Sequence, residues 1–329
     1  MKLETDDTKE LPVIAITGAN GFIGKYLVNA LSEIPDISLR LLVRTPSDNN
    51  NLPSNIIQIN GDLTKPETLE EFLVQGCTVI NLAYSFDATS DQNIMAVNNL
   101  ISACKKNNIK RIIHCSTAAV YGHVQLDSVN ESNQCSPKSS YGKTKLLIEE
   151  MFFSESKGNF EYVNIRPTAV YGAEGPALMK LINSLVNESN VANYLRLCLF
   201  NVRSLNLVHV SNVVAAIQFL IDADEEIDGQ TYIVSEDFES KNNYKYVETY
   251  IRMRLTKRRY IVPPLSLPLI LLSWLLRLLG RDSTNPRMVY DTEKLRNTGF
   301  KYVTSLDSGL DGLCSWYENK YSTEYPGKV

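Results

Sequence analysis

The sequence predicts an α/β fold, a doubly wound parallel sheet of the Rossmann type carrying a smaller C-terminal α/β lobe. Three observations predict it. An apolar run opens directly into a glycine-spaced turn and a helical pattern, short apolar strands alternate with helical stretches from Val13 to Arg166, and the alternation is lost after Ser235.

The 329 residues, 44% hydrophobic and 21% charged, suffice for one large α/β domain with an added lobe. A net charge of -4 and only three histidines argue against a nucleic-acid footprint and against a histidine-rich metal site, so neither partner is expected. The six cysteines (Cys77, Cys104, Cys115, Cys135, Cys198 and Cys314) contain no C-x-x-C pair, and most sit in apolar or helical surroundings. That usage predicts free thiols in a reducing compartment, the cytoplasm. Met1 to Glu10 are polar and acidic and lack the basic-then-apolar pattern of a secretory leader, so they are expected to form a short disordered lead-in. No internal repeat is present.

Val13-Ile14-Ala15-Ile16 is the first strand, and Phe22 to Leu31 the first helix. Between them, Thr17-Gly18-Ala19-Asn20-Gly21-Phe22-Ile23-Gly24 spaces three glycines three apart. Such glycines let the backbone turn tightly, approach a pyrophosphate closely, and aim the N–H groups of a helix start at anionic oxygens. The stretch reads as a dinucleotide cradle, although a plain strand-to-helix turn would use the same trio. Ser38 to Val43 is a second buried strand ending at Arg44, about 20 residues past Gly24, where a Rossmann unit selects its cofactor. An acid there would bond the ribose 2′-hydroxyl of NAD. Arg44 suits the 2′-phosphate of NADP, and is otherwise a solvated strand-end charge. NADP is the expected cofactor, with NAD as the alternative.

Asn49-Asn50-Asn51-Leu52-Pro53 reads as a loop, Ile56 to Ile59 as a third strand finishing in Gly61-Asp62, and Pro66 to Val74 as a short helix. Thr78 to Leu82 is a fourth strand. Asp91 to Lys106 is a helix with Ile94, Val97, Ile101 and Cys104 at helical spacing. The fifth strand, Arg111 to Cys115, ends in Ser116-Thr117-Ala118-Ala119-Val120-Tyr121-Gly122, which delivers hydroxyls to the sheet edge where doubly wound folds bind ligands. After a polar loop containing Pro137, Tyr141 to Glu150 is a helix that sets Tyr141 and Lys145 on one face.

Tyr162 to Arg166 is a sixth strand, running into Pro167-Thr168-Ala169-Val170-Tyr171-Gly172, which leaves the sheet. Leu178 to Val186 reads as a helix, Leu205 to His209 as a strand, Val213 to Ile221 as a returning helix and Gln230 to Val234 as an edge strand. Asp291 to Arg296 and Ser305 to Tyr317 are two short closing helices. The expected division is a dinucleotide-binding domain of residues 11–173 with 205–234, and a substrate lobe of 174–204 with 235–329. In that lobe, Arg252, Arg254, Lys257, Arg258 and Arg259 precede the most apolar stretch of the chain, Pro263 to Leu279. A membrane span needs about 20 uninterrupted apolar residues, and Pro268 and Arg277 break this one. A packed lobe helix is the first reading, and a membrane-surface or subunit contact the second.

Moving a hydride between a carbinol carbon and a nicotinamide needs a group that takes the hydroxyl proton. Tyr141 is the candidate. A free tyrosine has a pKa of about 10, too high for a base at neutral pH, and Lys145 one turn on supplies the positive charge that favours the phenolate. The lysine can also hold the nicotinamide ribose. Ser116 and Thr117 stand where a hydroxyl would orient the substrate oxygen, and Thr117 is the preferred donor. Each piece has a bland counterpart: a chance tyrosine–lysine spacing, or a Ser-Thr helix cap. The joint occurrence in this order favours catalysis.

These residues resemble the extended short-chain dehydrogenase/reductase family, also described as NAD-dependent epimerase/dehydratases, over roughly Val13 to Leu313. Gly18, Gly21 and Gly24 match its glycine signature, Asp62 its adenine-side acid, Tyr141 and Lys145 its catalytic pair, and Thr117 its catalytic serine or threonine. The resemblance implies cofactor contacts from Asn20, Phe22 and Ile23 around the cradle, from Leu63, Leu82 and Ala83 after the strands, and from Pro167 beside the nicotinamide. Leu207-Val208-His209-Val210 looks like the family's strand before the returning helix.

Members that dehydrate a sugar nucleotide carry an acidic pair after the catalytic threonine. Here those positions are Ala118 and Ala119, which disfavours a 4,6-dehydratase. The resemblance then implies reduction of a 4-keto-sugar nucleotide in polysaccharide or O-antigen precursor synthesis. The alternatives are a nucleotide-sugar 4-epimerase with tightly bound NAD, and a sterol- or flavonoid-type alcohol dehydrogenase. A cofactor-binding scaffold without turnover would be expected to lose Tyr141 or Lys145. The family's habit also implies a homodimer. Ser211-Asn212 replace a common aspartate at what is expected to be a helix cap, and His123 and His209 read as structural.

Overall fold

Runs such as VIAIT, SLRLLV, IIQIN and TVIN are rich in β-branched and leucine side chains and too short for helices. They form β1 (Val13–Thr17), β2 (Ser38–Val43), β3 (Ile56–Asn60) and β4 (Thr78–Asn81). The remaining strands are β5 (Arg111–Cys115), β6 (Ser128–Val129), β7 (Glu161–Pro167), β8 (Ala169–Tyr171), β9 (Leu207–His209), β10 (Gln230–Val234) and β11 (Val289–Tyr290). The structure is a computed structural model that describes residues 11–46, 52–223, 225–265 and 285–322. The lead-in Met1 to Glu10, the asparagines at 49–51 and the apolar stretch after Leu265 lie outside the described residues.

Seven strands form one sheet in the order β10-β7-β5-β4-β1-β2-β3. The pairs β1–β2, β2–β3, β1–β4 and β4–β5 are parallel, with Ile14 facing Leu39 on one side and Thr78 on the other. The chain therefore runs outward from β1 through β2 to β3, then returns to the far side of β1 as β4. That reversal leaves a crevice at the carboxyl ends of β1 and β4, the place where open α/β sheets bind ligands. The predicted Rossmann-type sheet and the edge position of Gln230–Val234 both hold.

The chain divides into two compact units. The first comprises Met1–Cys115, Leu147–Asn164 and Leu220–Gln230. Its helices are α1 (Phe22–Ser32), α2 (Ser90–Lys106) and the later turns of α3 (Ser140–Ser156). A capping box between Thr89 and Gln92 starts α2, satisfying two N–H groups of its first turn. Val97, Leu100, Ile101 and Cys104 bury one face of α2 in the core, where Phe152 stacks on Tyr162 with ring centroids 5.7 Å apart. Arg111 is wholly buried, paired to Glu161 at 2.6 Å, and donates to the carbonyls of Leu220, Ile221 and Ala223. A guanidinium there satisfies terminal helix carbonyls and complements their dipole.

The helix expected over Pro66 to Val74 is only a 3₁₀ turn, Pro66–Leu69. The Thr68 hydroxyl donates to the Lys65 carbonyl at 2.8 Å and accepts the Asp62 N–H at 3.0 Å. The backbone bonds here run to the third residue back, Thr68 N–H to the Lys65 carbonyl at 3.0 Å and Phe72 N–H to the Leu69 carbonyl at 3.2 Å, so the segment stays in tight turns.

The second unit comprises Ser116–Leu146, Ile165–Phe219 and Thr231–Val329. Besides the start of α3, up to Leu146, it holds α4 (Met179–Asn187), α5 (Asn190–Phe200), α6 (Val210–Ile221, whose last residues belong to the first unit), α7 (Tyr244–Thr256), α8 (Glu293–Asn297) and α9 (Leu306–Ser322). The strand expected over Leu205 to His209 pairs with β8 in a separate two-stranded sheet, Tyr171 opposite His209. β6 and β11 form another. Helices α5 and α7 were not predicted. In α7 the core positions Val247, Ile251 and Leu255 recur every four residues among tyrosines and charges, and Asn243 caps the helix by accepting the Tyr246 N–H at 3.0 Å. Ile182, Leu185, Ile251, Leu310 and Leu313 join α4, α7 and α9 in one core. All six cysteines are free thiols.

Candidate active site

In the first unit the cradle begins at the carboxyl end of β1. Gly18 has φ +73°, and a Cβ there would lie 2.8 Å from the Ala83 nitrogen and the Leu82 carbonyl carbon. A side chain is excluded by both conformation and space. On Gly24 a Cβ would overlap the Gly18 carbonyl oxygen and stand 2.7 Å from that of Ala19, so α1 rests directly on the turn. Gly21 is the N-cap of α1 and offers no side-chain cap, leaving the N–H groups at Phe22, Ile23 and Gly24 aimed out of the helix start. Asn20 and Gly21 are exposed at the lip, and Phe22 and Ile23 are half-buried. This bare, uncapped helix start over a glycine turn fits the pyrophosphate of a dinucleotide.

At the end of β2, Arg44 is exposed. At the end of β3, Asp62 Oδ1 accepts both the N–H and the hydroxyl of Thr64, each at 2.8 Å. The Thr64 N–H does most to hold the Asp62 carboxyl below the usual carboxylate range; partial burial opposes it, and the Thr64 hydroxyl, Arg44 and Lys65 add to the lowering. The fixed, ionised carboxylate fits an adenine-side acceptor. The Leu63 carbonyl accepts from Asn99 of α2 at 2.8 Å, which fixes that loop. Leu82 and Ala83, half-buried after β4, lie against the Gly18 turn.

Two features beneath the cradle escaped the sequence reading. Thr17 Oγ1 donates to Asn81 Oδ1 at 2.7 Å, and Asn81 Nδ2 lies 3.1 Å from His114 Nδ1, so buried polar side chains tie the ends of β1, β4 and β5 together. The signal was present: VIAIT, TVIN and RIIHC each turn polar at their ends. Asn93 in the first turn of α2 accepts the Ser85 N–H and donates to the carbonyls of Ser85 and Thr89, holding the loop after Ala83.

In the second unit, Thr117 precedes a 3₁₀ turn, Ala118–Tyr121, and its hydroxyl accepts the Ala119 N–H at 3.2 Å. The cap reading of Thr117 is therefore correct as structure. It uses a lone pair of the oxygen and leaves the hydroxyl proton to donate elsewhere. Tyr141 lies half-buried in the first turn of α3, and Lys145, one turn on, is buried. A Cβ on Gly142 would stand 2.9 Å from the Ala119 carbonyl oxygen and 3.0 Å from Pro137. Gly142 thus lets the turn carrying Tyr141 press against the turn that Thr117 caps. Pro167 is buried at the end of β7, next to Arg166, whose guanidinium donates to the Tyr121 hydroxyl at 2.8 Å and stacks on its ring.

Asn212 is not the expected helix cap. It is fully buried within α6, its amide donating to Glu236 and to the Thr304 carbonyl while its oxygen accepts the N–H groups of Val303 and Thr304. Glu236 also accepts the His209 N–H at 2.8 Å. Burial, reinforced by Glu239 and Asp237, pushes the Glu236 carboxyl up to about 7 against the pull of its donors. The imidazole of His209 is pushed down to about 4 by burial, and its Nδ1 accepts the Ser211 N–H at 3.3 Å. This cluster fastens β9, α6, the end of β10 and the 303–304 loop; sequence reading missed it because its partners are far apart in the chain.

Comparison with known proteins places this arrangement. The profile of the NAD dependent epimerase/dehydratase family matches residues 14–235. An N-acetyl-alpha-D-glucosaminyl-diphospho-ditrans,octacis-undecaprenol 4-epimerase of Escherichia coli O157:H7 is 28% identical over 193 residues, 56% of this chain and 53% of that protein. A 4-hydroxy-2-methyl-3-oxo-4-farnesyl-3,4-dihydroquinoline-1-oxide ketoreductase of Stigmatella aurantiaca is 30% identical over 182 residues, 52% and 54% of the two chains. The chain thus spans about half the length of the curated relatives it matches. Among solved structures, UDP-glucuronic acid 4-epimerase from Bacillus cereus, in complex with UDP-glucuronic acid and NAD, superposes with a TM-score of 0.69 at 20% identity, covering 94% of this chain and all of that one, and so supports the fold. With a profile match reaching from β1 to the end of β10, this chain belongs to the NAD dependent epimerase/dehydratase family.

Proposed function

We propose that this chain is an NAD(P)-dependent oxidoreductase that moves hydride at C4 of a diphosphate-linked sugar, with Tyr141 as its proton-transferring group. The observation that carries the reading is the seating of Gly142 on the Ala119 carbonyl, which sets the Tyr141 turn against the Thr117 turn. A dinucleotide would be held by the Gly18–Gly24 turn and Asp62, and its nicotinamide supplies or accepts the hydride. In the reductive direction Thr117 donates its hydroxyl proton as a hydrogen bond to the 4-keto oxygen. Tyr141 Oη then gives its own proton to that oxygen, and the Lys145 ammonium favours the phenolate left behind. Residues 11–173 with 205–234 serve the dinucleotide in this reading, and 174–204 with 235–329 the sugar.

The first form of the reaction is one-way reduction with NADPH, supported by exposed Arg44 where an NAD-selecting acid would stand and by the ketoreductase among the relatives. The second is 4-epimerisation with retained NAD, supported by the epimerases named among relatives and structural neighbours. In that form Tyr141 takes the C4 hydroxyl proton, the 4-keto sugar turns over, and Tyr141 returns the proton. Ala118 and Ala119 leave no acidic pair for a dehydratase. A homodimer in the cytoplasm, working on polysaccharide precursors, completes the proposal.

The test is to denature the purified protein and identify released cofactor and sugar by mass spectrometry. Stoichiometric NAD supports the epimerase. An empty protein that binds NADPH reversibly supports the reductase, to be followed by 4-keto-sugar substrates. A chain that neither releases nor binds either dinucleotide overturns the proposal.

A further inference from the structure

Helix α5 is amphipathic in an unusual sense. Its inner face buries Asn193, Leu197 and Cys198, while its outer face carries Val191 and Leu195, 68% and 61% exposed, where a water-facing helix would be polar. Beside them on the helix, Tyr194 donates to the Pro263 carbonyl at 3.2 Å and packs edge-on against Tyr260 with ring centroids 5.3 Å apart. The 260–265 segment held by these contacts exposes Ile261 completely and Val262 and Leu265 by more than half. Single exposed apolar residues are ordinary, but five on two elements joined through Tyr194 form a grouping of the kind that marks an interaction surface.

A cationic edge adjoins it. Lys257 adopts a left-handed conformation with φ +55° that ends α7 and turns the chain, leaving Lys257, Arg258 and Arg259 exposed. Among the described residues none of the three is ion-paired, whereas Arg254 one turn earlier is engaged by Asp311 and Glu318. Three unneutralised cations beside exposed valine, leucine and isoleucine complement an anionic lipid surface, where basic side chains meet headgroups and apolar ones enter the acyl boundary. The sequence continues from Leu265 into the most apolar run of the chain; that run lies outside the described residues and enters here only as sequence.

We propose that the face formed by Val191, Leu195 and residues 257–265 docks the protein on an anionic lipid bilayer, lying on its surface rather than spanning it. A second copy of the chain is the competing occupant. The lipid surface is favoured because it meets both the exposed apolar side chains and the three cations beside them.

The experiment is flotation of the purified full chain with phosphatidylcholine vesicles, with and without about 30% phosphatidylglycerol, at about 50 mM and about 500 mM salt. Binding is expected to the anionic vesicles at low salt and to weaken at high salt. Replacing Lys257, Arg258 and Arg259 together by Gln is expected to weaken it on the order of 100-fold, about fivefold for each charge. Val191→Ser with Leu195→Ser and Ile261→Ser is expected to weaken the binding that survives high salt. All six positions are on the surface, so thermal unfolding of both variants should match that of the parent, which separates a docking defect from a folding one. Failure of the full chain to float with anionic vesicles, or equal flotation of the variants, overturns the proposal. So does lipid-free self-association that disappears in the same variants.

Discussion

Replacing Glu236 by Gln should change how stability depends on pH more than it changes stability itself at low pH. Gln retains an oxygen for the His209 N–H and the Asn212 amide that Glu236 now accepts, so the fastening of β9 and α6 survives. What is lost is a proton-binding site. Folding raises this carboxyl from its usual 4.5 to about 7, with burial as the main cause, in a side chain only 1% exposed. The folded chain therefore holds a proton that the unfolded chain has released between those values. The sign follows directly: the associated stability is whole below pH 4.5, falls as the pH rises toward 7, and is gone above it.

At about 1.4 kcal/mol for each tenfold in proton affinity the total is about 3 kcal/mol, of which about 2 falls between pH 5 and pH 8. Neighbouring groups titrate as well. Asp237, raised by burial from 3.8 to about 6, loses stability with rising pH in the same sense. His209, lowered by burial from 6.5 to about 4, contributes above 6.5 and loses it as the pH falls. These trends offset one another in the parent curve, so the measurement is a difference: urea unfolding of parent and variant at matched pH values from 5 to 8. The variant should gain about 2 kcal/mol on the parent across that range. Parallel curves would refute the claim that Glu236 carries the proton.

Three further outcomes bear on the proposed chemistry. Tyr141→Phe should lower kcat by about 10²- to 10⁴-fold, the range for removing a general acid–base, with cofactor affinity in fluorescence titration nearly unchanged; retained turnover would remove Tyr141 from the mechanism. Arg44→Asp should weaken NADPH binding by about 10- to 100-fold, the worth of a charged hydrogen bond, and NADH binding far less, and equal losses would remove the case for NADP. Gly18→Ala places a Cβ 2.8 Å from backbone atoms at φ +73°, so it should cost at least about 1–2 kcal/mol in urea unfolding and abolish dinucleotide binding; a variant that binds normally would show that the cradle does not require the glycine.

The parts of this molecule legible in the sequence are those whose physics is local. Gly24 is demanded by contacts within a single strand–turn–helix, Gly18 by the tight turn it makes at φ +73°, and α2 announces itself through the helical spacing of Ile94, Val97, Ile101 and Cys104. The 3₁₀ turn at Pro66 was misread because its backbone bonds run to the third residue back, Thr68 N–H to the Lys65 carbonyl, a difference of one residue that so short an apolar pattern does not encode. Asn212 was misread for a different reason. Its partners, Glu236 and the 303–304 backbone, lie 24 and about 90 residues away, and nothing beside Ser211 signals them. Helix α5 hid because its exposed face is apolar, which removes the polar half of the pattern that identifies an amphipathic helix.

Thr117 shows how a structural and a catalytic reading of one residue need not compete. As a cap it accepts the Ala119 N–H, which fixes the rotamer of its hydroxyl and occupies one acceptor site. A hydroxyl so held has its proton directed away from the cap, which is the state a donor to a substrate oxygen requires, and it reaches that state without reorganising during the reaction. The carbonyl of the same residue, Ala119, lies against the Gly142 turn, so the residue that orients the proposed donor also seats the helix bearing the proposed acid. The short distance between these turns depends on the bare Cα of Gly142, and bulk there would move Tyr141 relative to Thr117. Since a displacement of about 1 Å costs about 10²-fold in a positioned reaction, this glycine belongs to the proposed chemistry as fully as the tyrosine does.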